Sequence, residues 1–166
     1  MQTHMGRARF ETTMGSCAIS WSDAGLTRFE LPEAKSTSDD EIILPVEITE
    51  LIARVRKHLA GELQDFSNTR FDFSGLADFN AKVLAATLAI KAGQTRSYGE
   101  IAHAIGQPAA ASRAVGAALG ANRWPLLIPC HRVVSAGGKM TGFSGPGGIK
   151  TKLRLLALEG AQLFAE

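Results

Sequence analysis

Apolar positions along the chain change their period between its two halves. From residue 17 to 31 they run in short strand-like stretches, Cys17-Ala18-Ile19-Ser20-Trp21 and Leu26-Thr27-Arg28-Phe29-Glu30-Leu31, separated by the turn residues Ser22-Asp23-Ala24-Gly25. Such runs around a turn predict a hairpin in a small sheet. Beyond the polar stretch at 35–41 the spacing becomes helical, with Val46, Ile48, Leu51, Ile52, Val55 and Leu59 on one face and Gly61 as the stop. A loop over 67–75 then leads to Asp78, which suits the N-cap of a helix through Phe79, Val83, Leu84 and Leu88 that ends near Gly93. Two shorter helices are expected next, residues 98–105 capped by Ser97 and the alanine-rich residues 109–119, joined through Gly106-Gln107-Pro108. That pairing fits a helix-turn-helix, whose second helix would meet DNA, or a plain helical hairpin in which Arg113 sits in solvent.

Downstream, the apolar run Leu126-Leu127-Ile128-Pro129 brings Cys130 to the edge of a core, and Gly137-Gly138 marks a turn. Residues 142–148 are too rich in glycine for a helix or strand and predict a loop that approaches something closely. A last helix is expected over 151–159, carrying Leu153, Leu155, Leu156 and Leu158. The pattern defines an α+β chain: a small N-terminal unit of sheet and helix over residues 1–77, then a helical unit over 78–166 holding the helix-turn-helix and the cysteine segment.

Composition narrows the classes. With 45% hydrophobic residues in 166, the chain can bury a core. No apolar stretch reaches the roughly 18–20 residues a bilayer requires, and residues 1–7 are not followed by a signal core. A cytoplasmic monomer is the expectation. Two cysteines, Cys17 and Cys130, make no disulfide framework and fit a reducing compartment. The net charge of +2 hides an asymmetry: residues 1–90 carry nine Lys and Arg against thirteen Asp and Glu, whereas residues 91–166 carry nine against three. A basic second half suits a polyanion such as nucleic acid, because phosphate contacts supply much of the affinity.

A cysteine attacks as its thiolate, and an ordinary thiol, with a pKa of about 8.5, is only slightly ionised at neutral pH. His131 follows Cys130 directly, and Glu159 lies where it could orient an imidazole. On pattern alone, a lone cysteine of this kind is more often inert core.

The residues read together change that weighting. The run Pro129-Cys130-His131-Arg132-Val133 is preceded by Arg113-Ala114-Val115-Gly116-Ala117-Ala118 and Asn122, and followed by Gly142-Phe143-Ser144-Gly145 and Leu155-Leu156-Ala157-Leu158-Glu159-Gly160. This set resembles the O6-alkylguanine-DNA alkyltransferases, the methylated-DNA–protein-cysteine methyltransferases. The likeness is strong over about 80–160 and weaker over the hairpin from Thr13 to Pro32. It implies a helix-turn-helix in the minor groove of double-stranded DNA containing O6-alkylguanine, a flipped base, and irreversible single-turnover transfer of the alkyl group, with no cofactor. O4-alkylthymine is a second candidate substrate.

By the same resemblance Cys130 is the acceptor, His131 the base acting through a water, and Glu159 the group that orients it. Asn122 is a hinge between recognition helix and active-site segment, and Tyr98 a donor to the departing guanine. Arg113 would fill the stack, with Ser97, Ala114, Gly116 and Arg123 also at the DNA. Leu119, Pro125, Val133, Phe143, Ser144, Gly145 and Lys152 are expected to line the substrate pocket. Displacing guanine leaves negative charge on the base, so a donor there lowers the barrier. Flipping costs a few kcal/mol and leaves a hole that a side chain can fill.

Two departures from the family pattern stand out. Phe143 replaces a common tyrosine, and Ser144-Gly145-Pro146-Gly147-Gly148 is longer than the usual run, which bears on pocket shape and substrate range. Some members bind zinc in the N-terminal unit, but Cys17, His4 and His58 show no ligand spacing, so no metal is expected. Cys17 reads as a small buried strand residue and His103 as a helix-surface one. Rival readings are an alkyltransferase-like binder, which would lack the acceptor cysteine; a helix-turn-helix regulator with a cysteine sensor, which should show a dimerisation element; and a cysteine hydrolase.

Overall fold

The computed structural model describes residues 5–32, 44–136 and 148–161. Three antiparallel strands, β1 (Gly6–Thr12), β2 (Gly15–Ser22) and β3 (Gly25–Glu30), form a sheet in the order β1-β2-β3. The hairpin predicted from residues 17–31 is β2 and β3. β1 was not foreseen, although Arg7-Ala8-Arg9-Phe10-Glu11 alternates: Ala8 and Phe10 are buried, and β1 pairs β2 from Gly6↔Trp21 to Thr12↔Gly15. A bulge between Ser20 and Trp21 shifts the β2–β3 register.

The free edge of β3 is covered rather than left open, as an exposed edge invites foreign pairing. Leu26 N–H donates to Arg70 O at 2.8 Å, Asp72 N–H to Leu26 O at 2.8 Å, and Phe29 N–H to Arg123 O at 2.8 Å. The close approach depends on Gly25, with φ +140°: a Cβ there would stand 2.5 Å from Arg70 O.

Helix α1 (Val46–Leu59) packs against β1 through Ile48, Leu51, Ile52, Val55 and Leu59. Val46, placed by periodicity on the same face, is 75% exposed because it is the first helical residue and precedes the contact. Helix α2 (Asp78–Leu88) begins one residue earlier than expected: Ala77 is the N-cap, without a side-chain bond, and Asp78 occupies the first turn, where a carboxylate still complements the helix dipole.

The helix-turn-helix follows. Strand β4 (Arg96–Ser97) enters α3 (Tyr98–Ala104) through a capping box in which Glu100 N–H donates to Ser97 Oγ at 3.0 Å and Ser97 N–H to Glu100 Oε1 at 2.7 Å. The alanine-rich stretch is not one helix: residues Ala109–Ala111 make a 3-10 turn, then α4 runs over Ser112–Gly120. Pro108, which cannot donate a helical N–H, sits at the entry. Strand β5 (Val133–Val134) pairs in parallel with β4, and α5 (Ile149–Leu158) is the last helix among the described residues. Glu159, expected inside that helix, is its C-cap.

One buried cluster runs through both halves, from Ala8, Phe29 and Val55 to Val83, Trp124, Ile128 and Leu155. Trp124 joins them. It is fully buried, its Nε1–H donates to Leu26 O at 3.0 Å, and its ring lies 5.5 Å from Phe71 and 5.2 Å from Phe73. The α+β class thus holds. The expected turn at Gly137-Gly138 and most of the 142–148 loop lie outside the described residues, as does the polar stretch at 35–41.

Candidate active site

Residues 121–134 form a folded-back segment that presents Cys130, and its own side chains shape it. Asn122 staples the segment: its Oδ1 accepts from Trp124 N–H at 2.9 Å and its Nδ2 donates to Ile128 O at 2.9 Å. Between them Leu126 adopts φ 78°, a left-handed conformation that costs a branched residue of this kind about 1 kcal/mol or more. Its side chain is 1% exposed, so burial in the core offsets that strain. Cys130 N–H then donates to Ile128 O at 2.7 Å, and a 3-10 turn over Cys130–Arg132 leads into β5. Because β5 pairs with β4, with Arg96 opposite Val133 and Ser97 opposite Val134, the start of α3 is fastened beside the cysteine segment.

Lys152, on α5, is 1% exposed, donates from Nζ to Val133 O at 2.8 Å and lies 6.0 Å from the Tyr98 ring centroid. Cys130, Asn122, Tyr98, Val133 and Lys152 therefore gather at one place.

Behind the cysteine lies a buried polar cluster centred on Glu159. Oε1 accepts from His131 Nε2 at 2.9 Å and from Arg132 Nε at 2.9 Å; Oε2 accepts from Arg132 Nη2 at 2.8 Å and from His58 Nε2 at 2.9 Å. Arg132 Nη1 also donates to Ile90 O at 2.6 Å. An ionised carboxylate only accepts, so both facing imidazole nitrogens must carry hydrogen. His131 Nδ1 is then a lone pair, and it is buried without a hydrogen-bond partner.

Electrostatics follow from these contacts. Burial alone would raise the Glu159 pKa, but the bonds from His131, His58 and Arg132 outweigh it and hold the carboxyl far below its usual range. Burial pushes the His131 pKa down, against the pull of Glu159, so its neutral form is favoured. Burial pushes the Cys130 thiol up, opposed by the Asn122 amide and the positive charge of Lys152. These shifts favour a protonated thiol at Cys130 and a neutral imidazole at the following residue, the forms from which a thiol nucleophile and a general base would start. Cys17, by contrast, sits in β2 with zero exposure and is pushed up to about 12 by burial, so it is inert core.

The residues expected at DNA lie on the helix-turn-helix. Arg113 and Ala114 are exposed on α4, Gly116 is half-buried against Tyr98, and Ser97 is occupied as the α3 cap. Arg123, half-buried just after α4, donates to Ser74 O at 3.2 Å and lies 5.9 Å from the Trp124 ring. Leu119 is buried and Pro125 half-buried. Phe143, Ser144 and Gly145 lie outside the described residues, as does His4. His103 is exposed on α3. Two members of the Glu159 cluster escaped the sequence reading. The cysteine motif does not reveal a partner for Arg132, whereas His58 carries a signal of its own, falling three residues after Val55 and seven after Leu51 on the apolar face of α1.

A buried thiol, followed in the chain by a histidine bonded to a buried carboxylate and carried on a segment fastened beside the start of a helix-turn-helix, is the arrangement expected of a DNA-directed cysteine acceptor. The family model "6-O-methylguanine DNA methyltransferase, DNA binding domain" matches residues 78–161. The methylated-DNA–protein-cysteine methyltransferase of Methanothermobacter thermautotrophicus is 36% identical over 146 residues, covering 87% of this chain and 80% of that protein. The crystal structure of Mycobacterium tuberculosis O6-methylguanine methyltransferase superposes with a TM-score of 0.77 at 34% identity, over 99% of this chain and 97% of that one. The same organism's OGT in complex with DNA gives 0.77 at 37% identity, over 92% of each chain. The chain belongs to the methylated-DNA–protein-cysteine methyltransferase family.

Proposed function

We propose that this protein repairs DNA by moving the alkyl group of O6-alkylguanine onto its own Cys130 in a single, irreversible turnover. The observation that carries the residue assignment is the His131 geometry: Nε2–H committed to Glu159 at 2.9 Å and Nδ1 left as a buried, unpartnered lone pair one residue from the thiol.

In this reading DNA docks on the helix-turn-helix with α4 in the groove. Exposed Ala110, in the 3-10 turn before it, and Ala114 on α4 permit close approach, and Arg113 occupies the space the flipped nucleotide leaves. Guanine then enters beside Tyr98, Val133 and Lys152. His131 takes the Cys130 proton at Nδ1, directly or through a water, and the Glu159 carboxylate stabilises the imidazolium that forms. The thiolate attacks the alkyl carbon, a C–S bond forms as the C–O6 bond breaks, and the electron pair departs with guanine. Tyr98 donates a hydrogen bond to the leaving base, which recovers a proton overall. Thiol and alkylguanine become thioether and guanine, so atoms and electrons balance without a redox partner or cofactor. The thioether is stable, and each molecule acts once.

An N-terminal unit over residues 1–77 that supports an acceptor unit over 78–166, acting as a monomer in the cytoplasm, belongs to the same proposal. Among the described residues no helix is long and apolar enough to cross a membrane.

Incubation with a duplex oligonucleotide carrying O6-methylguanine, followed by peptide mass spectrometry, tests the assignment. A methyl group on Cys130 and none in Cys130→Ser is expected. A methyl on another residue, or on none, would overturn it.

A further inference from the structure

We propose that His58, from the last turn of α1, is a positioning residue for alkyl transfer: it orients the Glu159 carboxylate so that the carboxylate in turn holds His131 with its Nδ1 lone pair toward Cys130. The inference rests on the alkyl-transfer reading given above and adds a residue to it from the N-terminal unit.

Both nitrogens of His58 are committed. Gln64 N–H donates to Nδ1 at 2.9 Å, which makes Nδ1 an acceptor and leaves the hydrogen on Nε2, the atom 2.9 Å from Glu159 Oε2. The backbone of the loop after α1 therefore selects the tautomer that Glu159 needs. The ring has zero exposure and packs 5.3 Å from Phe66. The helix end that carries it is tied to the sheet, since Thr13 Oγ1 donates to Leu59 O at 2.8 Å and Arg56 Nε to Glu11 O at 2.9 Å.

Charge balance argues that the role is orientation. Arg132 already neutralises Glu159 through two bonds, at 2.9 and 2.8 Å. A neutral His58 adds no charge to the pair. What it adds is a fourth N–H donor on the Oε2 side. With Arg132 on both oxygens and one histidine on each, rotation of the carboxylate about its C–C bond breaks bonds on both sides. Without His58, Oε2 keeps only Arg132, and one of the bonds that resists rotation away from His131 is lost. Misplacing a reacting group by a fraction of an ångström to an ångström slows chemistry by tenfold or more.

A structural staple between the two units is the alternative, and single-turnover kinetics separates the two roles. The amplitude counts folded, competent molecules, whereas the rate constant at saturating protein measures reactivity of the bound complex. Three full-length variants are compared on duplex O6-methylguanine DNA. His58→Phe fills the space without a donor. His58→Asn can keep the Gln64 bond but falls short of Glu159. His58→Gln places an amide N–H near the position of Nε2. Phe and Asn are expected to lower the rate constant about tenfold with unchanged affinity for undamaged duplex, while Gln stays within about twofold of wild type.

Rate constants for Phe and Asn within twofold of wild type, whatever their amplitudes, would overturn the proposal, as would a Gln variant slowed as much as Phe. If one variant yields no folded protein, the other donor-lacking variant and Gln decide. Wild-type protein that fails to place the methyl on Cys130 defeats the transfer reading itself; wild type that reacts while all three variants match it defeats only the role of His58.

Discussion

Replacing Glu159 by glutamine changes one atom at the centre of the buried cluster, and its cost can be worked from the contacts. Four N–H donors, from His58, His131 and two positions of Arg132, meet two carboxylate oxygens. A glutamine amide offers one oxygen and one NH2, so whichever way it turns, two donors face a third. The Arg132 guanidinium, 6% exposed, loses its counter-charge while still desolvated. Breaking a buried, hydrogen-bonded ion pair by removing one charge costs about 3–5 kcal/mol. A chain of this size loses roughly 2–4 °C of Tm per kcal/mol, so a drop of about 10 °C is expected.

The pH dependence has a definite sign. The folded-state pKa of Glu159 lies far below the unfolded value of about 4.3, so the folded state binds fewer protons. Its contribution is complete above that unfolded value and is lost as pH falls toward the folded pKa. Urea unfolding of wild type and Glu159→Gln from pH 7 down to 3 should show a gap of about 3–5 kcal/mol at pH 7 that narrows below about pH 4. A gap under about 1 kcal/mol at pH 7, or one that widens in acid, would refute the account of a carboxylate held ionised by four donors.

Two further outcomes follow from the site. Arg113 is exposed on α4, so Arg113→Ala should slow transfer from duplex DNA while leaving reaction with free O6-methylguanine base less affected; equal losses on both substrates would remove it from the DNA interface. Lys152 draws the Cys130 pKa down against burial, so Lys152→Met should move the pH dependence of Cys130 alkylation by iodoacetamide to higher pH; no movement, or movement toward acid, would contradict the proximity of the two charges.

How much of this arrangement could be read from the chain alone depended on whether a feature is local. Alternation exposed β2 and β3, and periodicity exposed α1. β1 stayed hidden because only Ala8 and Phe10 of its seven residues are buried, too few apolar positions to stand out beside two arginines. The break of the alanine-rich stretch into a 3-10 turn and α4 was equally invisible, since alanine favours helix at every position and the break arises from Pro108 and the Ser112 Oγ bond to Ala109 O at 2.7 Å. At the site, Cys130 and His131 are neighbours in one motif. Beyond His131, the partners of Glu159 lie 101 and 27 residues away, at His58 and Arg132, and chain separation of that size leaves no periodic trace. A trace of another kind did exist for His58, which continues an apolar stripe where a polar ring needs a reason to be buried.

The combination of a raised thiol pKa and a lowered imidazole pKa bears on why a single-use protein survives until it meets damage. A thiolate at rest would react with any electrophile and oxidise readily, and each such event would destroy the molecule. Burial to 8% exposure screens Cys130 and favours its protonated form. The same burial favours the neutral form of His131, so the proposed proton acceptor would be in place although little thiolate exists. Proton transfer between them separates charge inside a desolvated site, which is unfavourable until the sulfur can pass its charge onward to a leaving group. In the proposed reaction, reactivity would then be set by whether an alkyl carbon stands in line with the sulfur while the guanine beside Tyr98 accepts the electron pair. In the proposed reaction the buried cluster around Glu159 would serve that timing: it would stabilise an imidazolium once formed, but with Arg132 already on both oxygens it would not draw the proton across beforehand.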